Sequence, residues 1–216
     1  IDRSGKVSKI EAISETPAGQ GFLEAATAAA QQWTFQPGKP GPYNITINFK
    51  NGDDTATFVT AELPGVLNYT GGNGNDELLF GEFNGEDQSF GTLIANMGAG
   101  HDTVRTNGES NFAISGSVVV KGGDGNNSFD LDPDESLTLG AVSVVNGKGD
   151  DFVDLGDTVV NAQSIVINNG NGSNLFFLDG DVTIQGSLIV SGGTGSDEVN
   201  PGDTGIDFLN VGGSVI

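Results

Sequence analysis

The sequence predicts a mainly β fold, a right-handed parallel β-helix of about six rungs that follows a small α+β module. A Gly-x-Gly turn recurs at steps of 23–26 residues, and such a period is typical of a solenoid in which each repeat stacks on its neighbour. Glycine supplies 35 of the 216 residues, which suits many tight corners and disfavours a helical core. The turns begin at Gly72, Gly98, Gly123, Gly147, Gly170 and Gly193.

Each repeat predicts three short strands joined by three corners. In one repeat the apolar stretch Phe129-Asp130-Leu131 follows the Gly-x-Gly corner, an acidic second corner comes next, and Gly140 marks a third corner between two further strands. Rungs of this kind stack about 4.8 Å apart and bury their apolar side chains in one column, and parallel crossovers are overwhelmingly right-handed. A β-sandwich with Gly-rich loops is the alternative architecture, but it does not need a steady period. We therefore expect a solenoid over residues 63–216.

Composition restricts the possible partners. The chain carries 29 acidic and 8 basic residues, a formal net charge of −21, so its field repels nucleic acid and anionic membrane surfaces. It has no cysteine and no apolar run long enough to cross a membrane. Its first residue is Ile rather than Met, which suggests a mature or trimmed product. We expect a secreted bacterial protein, extracellular or on the cell surface.

Residues 1–62 predict a separate α+β module. Lys6 to Ile13 is strand-like, and residues 20–33 have helical periodicity. Alternation over residues 43–49 predicts a strand, Asn51-Gly52 predicts a hairpin turn, and residues 55–60 predict the return strand. The apolar helical positions fall on one face: Phe22, Ala26, Ala29 and Trp33.

The first fifty residues resemble the C-terminal domain of TonB-type energy transducers. The resemblance rests on the Asp-x-x-Gly-x-Val turn of residues 2–7 and on Trp33-Thr34-Phe35-Gln36-Pro37 at the helix exit. In that family a strand precedes the turn, whereas this chain starts at the turn. The resemblance implies a module that caps or tethers the solenoid, with a periplasmic interaction role as an alternative.

Two columns of acidic residues follow from the repeat, since equivalent positions of successive rungs lie above one another. Stacked carboxylates about 5 Å apart repel one another by about 1 kcal/mol in bulk water, so something must offset the charge. Ca²⁺ is one candidate, and Asx turns that use the backbone N–H groups are the other. At the first corner the column contains Asp76, Asp102, Asn127, Asp151, Asn174 and Asp197; at the second corner it contains Glu82, Glu109, Asp132, Asp134, Asp157, Asp179, Asp181 and Asp203.

The first-corner motif resembles the Gly-Gly-x-Gly-x-Asp repeat of secreted RTX proteins, most closely at residues 71–76 and 192–197. RTX repeats recur every nine residues and share Ca²⁺ between adjacent turns, whereas here one copy occurs per rung. Their site geometry therefore does not transfer. We expect the second-corner acids, which pair two carboxylates in a rung at Asp132 with Asp134 and at Asp179 with Asp181, to be the better calcium ligands.

The sequence gives few signs of catalysis. His101 is the only histidine and lies in a turn, and the solenoid repeats carry only Arg105, Lys121 and Lys148 as cations. We therefore predict a non-enzymatic structural or adhesive protein that is calcium-stabilised and associates end to end, with a surface glycan or cell-envelope partner. A polysaccharide-degrading β-helix enzyme is the alternative. The apolar last segment, residues 208–216, suggests either a fragment or a subunit completed by its neighbour.

Overall fold

The computed structural model describes residues 44–58, 62–81, 87–108, 111–156, 159–200, 209–211 and 213. The α+β module predicted upstream of residue 44 lies outside the described residues. Every regular element among those described is a strand. The strands are β1 Ile45–Asn48, β2 Thr55–Phe58, β3 Glu62–Asn73, β4 Glu77–Phe80, β5 Gln88–Ala99, β6 Thr103–Thr106, β7 Asn111–Ile114, β8 Val118–Gly123, β9 Ser128–Leu131, β10 Ser136–Asn146, β11 Phe152–Leu155, β12 Val159–Asn168, β13 Leu175–Leu178, β14 Asp181–Ile184, β15 Leu188–Ser191, β16 Glu198–Asn200 and β17 Leu209–Val211.

The strands form two parallel sheets that wind into a β-solenoid of about six turns, which confirms the predicted fold class. The first sheet is ten-stranded, in the order β1-β3-β5-β7-β10-β12-β14-β17, with β8 beside β5 and β10 and β15 beside β12. The second sheet is seven-stranded, in the order β16-β13-β11-β9-β6-β4-β2. The chain therefore alternates between the sheets once per rung.

In-register pairing stacks the apolar side chains between the sheets. Along β9, Phe129 and Leu131 are 2% and 0% exposed while their neighbours face outward. Val104, Phe129, Val153 and Phe176 lie in one register column of the second sheet. Burying each such side chain contributes about 1.5–3 kcal/mol, so the stack as a whole, and not one rung, provides the core.

The early rungs contain a cluster of phenylalanines in this core. The ring centroids of Phe80 and Phe90 are 4.9 Å apart, and Phe112 lies 5.1 Å from Phe80 and 5.7 Å from Phe90. Phe58 joins the cluster at 5.8 Å from Phe80. Such pairs add about 0.5–1.5 kcal/mol each beyond their buried area.

Glycine is required at the first corner by conformation and by space. Gly149 has a φ of 142°, and a Cβ there would collide with the carbonyl oxygen of Gly125 in the rung before. The same collision recurs between the second glycines of successive Gly-x-Gly turns. The fixed period therefore reflects a stack of backbones that approach too closely for any side chain.

The predicted third corner is a bend within the first sheet and not a separate turn. Strand β5 continues through Gly91 and β10 through Gly140, so both flanking segments belong to one sheet. A Cβ on Gly140 would meet the carbonyl oxygen of Gly116, which explains the small residue at the bend. Each rung therefore has two corners and one bend, where the sequence predicted three corners.

The hairpin predicted around Asn51-Gly52 is wrong. Strand β1 pairs in parallel with β3, and β2 pairs in parallel with β4, so these segments form the first rung of the solenoid. Gly52 occupies a corner of the stack, and its N–H donates to the carbonyl oxygen of Asn73 at 2.8 Å. The solenoid thus extends to Ile45, upstream of the predicted boundary at residue 63. Among the described residues, no helix has the length and apolar character that a membrane crossing requires.

Candidate functional site

The first-corner acidic column is a buried hydrogen-bonded ladder. Asp76, Asp102 and Asp151 are each 1% exposed, so they point into the protein and not into solvent. The backbone N–H of each rung donates to the side-chain oxygen of the next: Asp76 N to Asp102 Oδ1 is 2.8 Å, and Asp151 N to Asn174 Oδ1 is 3.0 Å. We call this column the inner ladder; its last member, Asp197, is exposed, although its Oδ1 accepts from Asn174 Nδ2 at 2.7 Å. The inner ladder consists of Asp76, Asp102, Asn127, Asp151, Asn174 and Asp197.

Asparagine and aspartate are not equivalent in the inner ladder. Asn127 Nδ2 donates to the carbonyl oxygens of Gly123 at 3.2 Å and Gly125 at 3.0 Å, which satisfies both ends of its amide. The Oδ2 atoms of Asp76, Asp102 and Asp151 are buried without a hydrogen-bond partner. A carboxylate at these positions therefore lacks the donor that asparagine supplies.

Burial makes these carboxyl groups weaker acids than exposed aspartates. It raises the pKa of Asp76 and of Asp151 to about 6, and it raises the pKa of Asp102 as well. Backbone N–H donors in the ladder oppose these pKa shifts without cancelling them. Burial, with the nearby Asp76 charge, also raises the pKa of the Tyr69 hydroxyl, which has no hydrogen-bond partner. A proton on Oδ2 would supply the missing donor, so protonation stabilises Asp76, Asp102 and Asp151 in their buried positions.

A second ladder lies beside the first, on the surface, and its hydrogen bonds run the opposite way. Each side chain here accepts from the backbone N–H of the following rung, as Asn75 Oδ1 does from His101 N at 2.8 Å. His101 takes part in this second ladder, since its Nδ1 accepts a hydrogen bond from Asn126 N at 2.9 Å. This requires the imidazole to be unprotonated at Nδ1, a role the sequence did not indicate. The outer ladder consists of Asp53, Asn75, His101, Asn126, Asp150 and Ser173.

The second-corner acids are more accessible than the inner ladder. Asp134 and Asp181 are exposed, and Asp132 and Asp179 are half-buried. The Asp132 N–H donates to Thr106 Oγ1 at 2.8 Å, so that residue helps to join two rungs. Asp157 and Asp203 lie outside the described residues. Within the described ranges no three His, Cys, Asp or Glu side chains gather closely enough to hold a metal ion.

One outward face of the first sheet carries no carboxylate, although the chain as a whole is strongly acidic. Its side chains alternate with buried residues and stay in register from β1 to β15. We call this surface the acid-free face. Its three columns are Asn44, Val66, Thr92, Ser117, Ala141, Ser164 and Ser187; Thr46, Asn68, Ile94, Val119, Ser143, Val166 and Ile189; and Asn48, Thr70, Asn96, Lys121, Val145, Asn168 and Ser191.

The acid-free face contrasts with the outward face of the second sheet. That opposite face carries Glu77, Asp130, Asp154 and Glu198, with Arg105 Nε at 2.8 Å from Glu77 Oε1. The acid-free face has Lys121 as its single charged group, and three of its apolar members are well exposed: Ile94 at 41%, Val145 at 44% and Val166 at 39%. This separation of acidic and acid-free faces is visible in the sequence, because the strand after each third-corner residue lacks Asp and Glu. No site was predicted there from the sequence.

No family model, no curated protein and no solved structure matches this chain. Neither the TonB-like nor the RTX-like resemblance gains support from these comparisons. The function must therefore be inferred from the arrangement of the chain's own residues.

Proposed function

We propose that this chain is a non-enzymatic, extracellular structural and adhesive β-solenoid, which presents its acid-free face to a partner surface. The observation that carries this proposal is the segregation of charge. A protein with a net charge of −21 keeps Asp and Glu off three adjacent columns of outward side chains. The same columns expose Ile94, Val145 and Val166, and exposed apolar side chains grouped on one surface often mark interaction sites.

The inner ladder supports a structural role over a catalytic one. Its carboxyls at Asp76, Asp102 and Asp151 are buried and accept backbone N–H groups, so they are not positioned to meet a substrate. Two ladders with opposite hydrogen-bond directions tie each rung to both of its neighbours. These bonds hold successive rungs in fixed register, which suits a protein that presents an ordered surface.

Calcium belongs to this proposal as a stabiliser at the second corner. Asp134 and Asp181 are exposed there, and Ca²⁺ takes carboxylate and backbone carbonyl oxygens together. End-to-end association is a further part of it: Val199 is in register with the buried Phe176 yet is 52% exposed. Such an apolar side chain is suited to contact with another chain.

Adhesion assays test the proposal. Beads coated with the purified chain are washed over charged and uncharged solids, and we expect retention on uncharged solids, because the remaining surface of the protein is anionic. Beads coated with the Ser143→Glu variant, which places a carboxylate in the middle column of the acid-free face, should be released. Equal release of both bead types from every solid would contradict an adhesive role for this face.

A further inference from the structure

We propose that the acid-free face binds crystalline water, that is, the surface of ice. This inference rests on the proposed adhesive role of the same face and names its ligand.

The charge of the chain opposes a second copy on this face. The rungs stack about 4.8 Å apart and the residues rise about 3.3 Å, so the outermost positions of the face lie roughly 29 Å apart along the solenoid and roughly 13 Å apart across it. Two chains of net charge −21 that met side by side would bring their acids together along their whole length and repel each other, whereas end-to-end contact brings only the terminal rungs together. Charge therefore disfavours self-association through this face.

The chemistry of the face does not suit a polysaccharide. Sugar rings are commonly bound on aromatic platforms, and none of the outward columns contains Phe, Tyr or Trp. The columns instead consist of short hydroxyl, amide and branched aliphatic side chains, with Lys121 as the exception. Such groups can hydrogen-bond or shelter single water molecules, and they do not impose the radial hydration shell of a carboxylate.

The face is periodic in two directions. Along the solenoid, outward side chains of successive rungs are in register, as Ile94 is with Val119 and Ser143 with Val166, so the positions repeat at the rung spacing of about 4.8 Å. Across it, outward residues repeat at twice the residue rise, about 6.6 Å. Nine of the 21 side chains are Val, Ile or Thr, and five of these nine lie in the middle column, so that column is the most restricted in its rotamers before binding. A two-dimensional array of small, mostly uncharged groups is suited to a ligand that is itself a lattice.

The central test compares one substitution on two faces. Ser143 and Ser128 are both half-buried serines that point outward from strands, Ser143 on the acid-free face and Ser128 on the second sheet. The unmodified chain should separate its melting and freezing temperatures and become enriched in a slowly growing ice front. The Ser143→Glu variant should lose both effects, and Ser128→Glu should keep them. Lys121→Ser, which removes the one charge, should strengthen them.

Thermal melts by circular dichroism establish that each variant is folded, and Lys121→Ser provides a readout even if Ser143→Glu fails to fold. Exclusion of the unmodified chain from ice, with no separation of melting and freezing temperatures, overturns the proposal. If ice is not bound but beads adhere to cellulose or chitin in a Ser143-dependent way, the adhesive role stands and the ligand is wrong. A Ser143-dependent dimer in light scattering likewise overturns ice as the ligand. If Ser143→Glu changes adhesion to no solid, both proposals fail.

Discussion

The substitution Asp151→Asn should stabilise the solenoid at neutral pH. Asn keeps the Oδ1 acceptor for the Asn127 N–H, which lies at 2.8 Å, and replaces the unpartnered Oδ2 with an amide. By analogy with Asn127, that amide can reach the carbonyl oxygens of Gly147 and Gly149. Holding a carboxylate of pKa about 6 ionised costs about 3 kcal/mol relative to its ordinary value, so recovering most of this predicts a gain of about 2 kcal/mol. For a chain of this size that is a rise in Tm of about 4–8 °C.

The gain should depend on pH, with a definite sign. Because the folded pKa of Asp151 lies above the unfolded one, the folded state binds more protons, and the native protein loses stability as pH rises from about 4 to about 6. The variant lacks this term, so its advantage should be full above pH 6.5 and disappear near pH 4. Thermal and urea unfolding at pH 4, 5, 6 and 7.5 measure it.

Two further variants control the comparison. Asp150→Asn changes the same chemistry one residue away in the exposed outer ladder, and it should show no comparable gain. Asn127→Asp should destabilise at pH 7.5, because it removes the Nδ2 bond to Asp151 Oδ1 of 3.1 Å and adds a neighbouring buried carboxylate. An Asp151→Asn protein that is less stable than the native one at pH 7.5, or equally favoured at pH 4 and 7.5, would refute the proposed cost of the buried carboxylate.

Further predictions concern the corners and the metal. Gly149→Ala should lower the free energy of unfolding by at least about 3 kcal/mol, or prevent folding, because its Cβ meets a backbone oxygen. Gly52→Ala has open space around its Cβ and should lower it by only about 1–3 kcal/mol, because of the positive φ. Urea unfolding of the two variants measures the difference. His101→Asn, which places at this position the amide acceptor found at Asn75 and Asn126, should preserve Tm. His101→Leu removes the acceptor of the exposed Asn126 N–H and should lower the free energy of unfolding by about 0.5–1.5 kcal/mol, and Tm with it; equal Tm values for the two variants would exclude the outer ladder as a source of stability. If Ca²⁺ binds the second corner, millimolar Ca²⁺ should raise Tm and a chelator should reverse the rise. The double variant Asp179→Asn, Asp181→Asn should not respond to Ca²⁺, and a native Tm that does not change with Ca²⁺ would rule out the site.

Much of the fold could be predicted because its period is local and strict. Glycines at fixed steps mark the first corner, and apolar residues at a constant offset mark the strands. The stacking of Asp and Asn in one column was also predictable. The hairpin prediction for residues 43–60 was wrong because strict alternation and Asn51-Gly52 suit a hairpin as well as a rung. Local propensity cannot distinguish a strand's antiparallel neighbour from a parallel partner some twenty residues away.

The candidate site could be predicted less well. The sequence located the first-corner acids and offered Ca²⁺ or Asx turns to offset their charge, but it did not indicate that Asp76, Asp102 and Asp151 are buried. Burial depends on which side of the corner each residue faces, and two residues that are adjacent in the chain, Asp150 and Asp151, lie in opposite ladders. His101 was interpreted as a turn residue for the same reason, since its role exists only beside Asn126 of the next rung.

By itself, the sequence determined the rung length, the corner glycines, the apolar column and the excess of negative charge, since each of these repeats along the chain. The tertiary structure alone decided which acids are buried, in which direction each ladder donates, that β1 and β2 belong to the stack, and that the columns without carboxylates lie side by side on one outward face. The physical reason is that burial, hydrogen-bond direction and surface charge pattern belong to neighbouring rungs in space, and a residue acquires them only when the rung above and the rung below are in place.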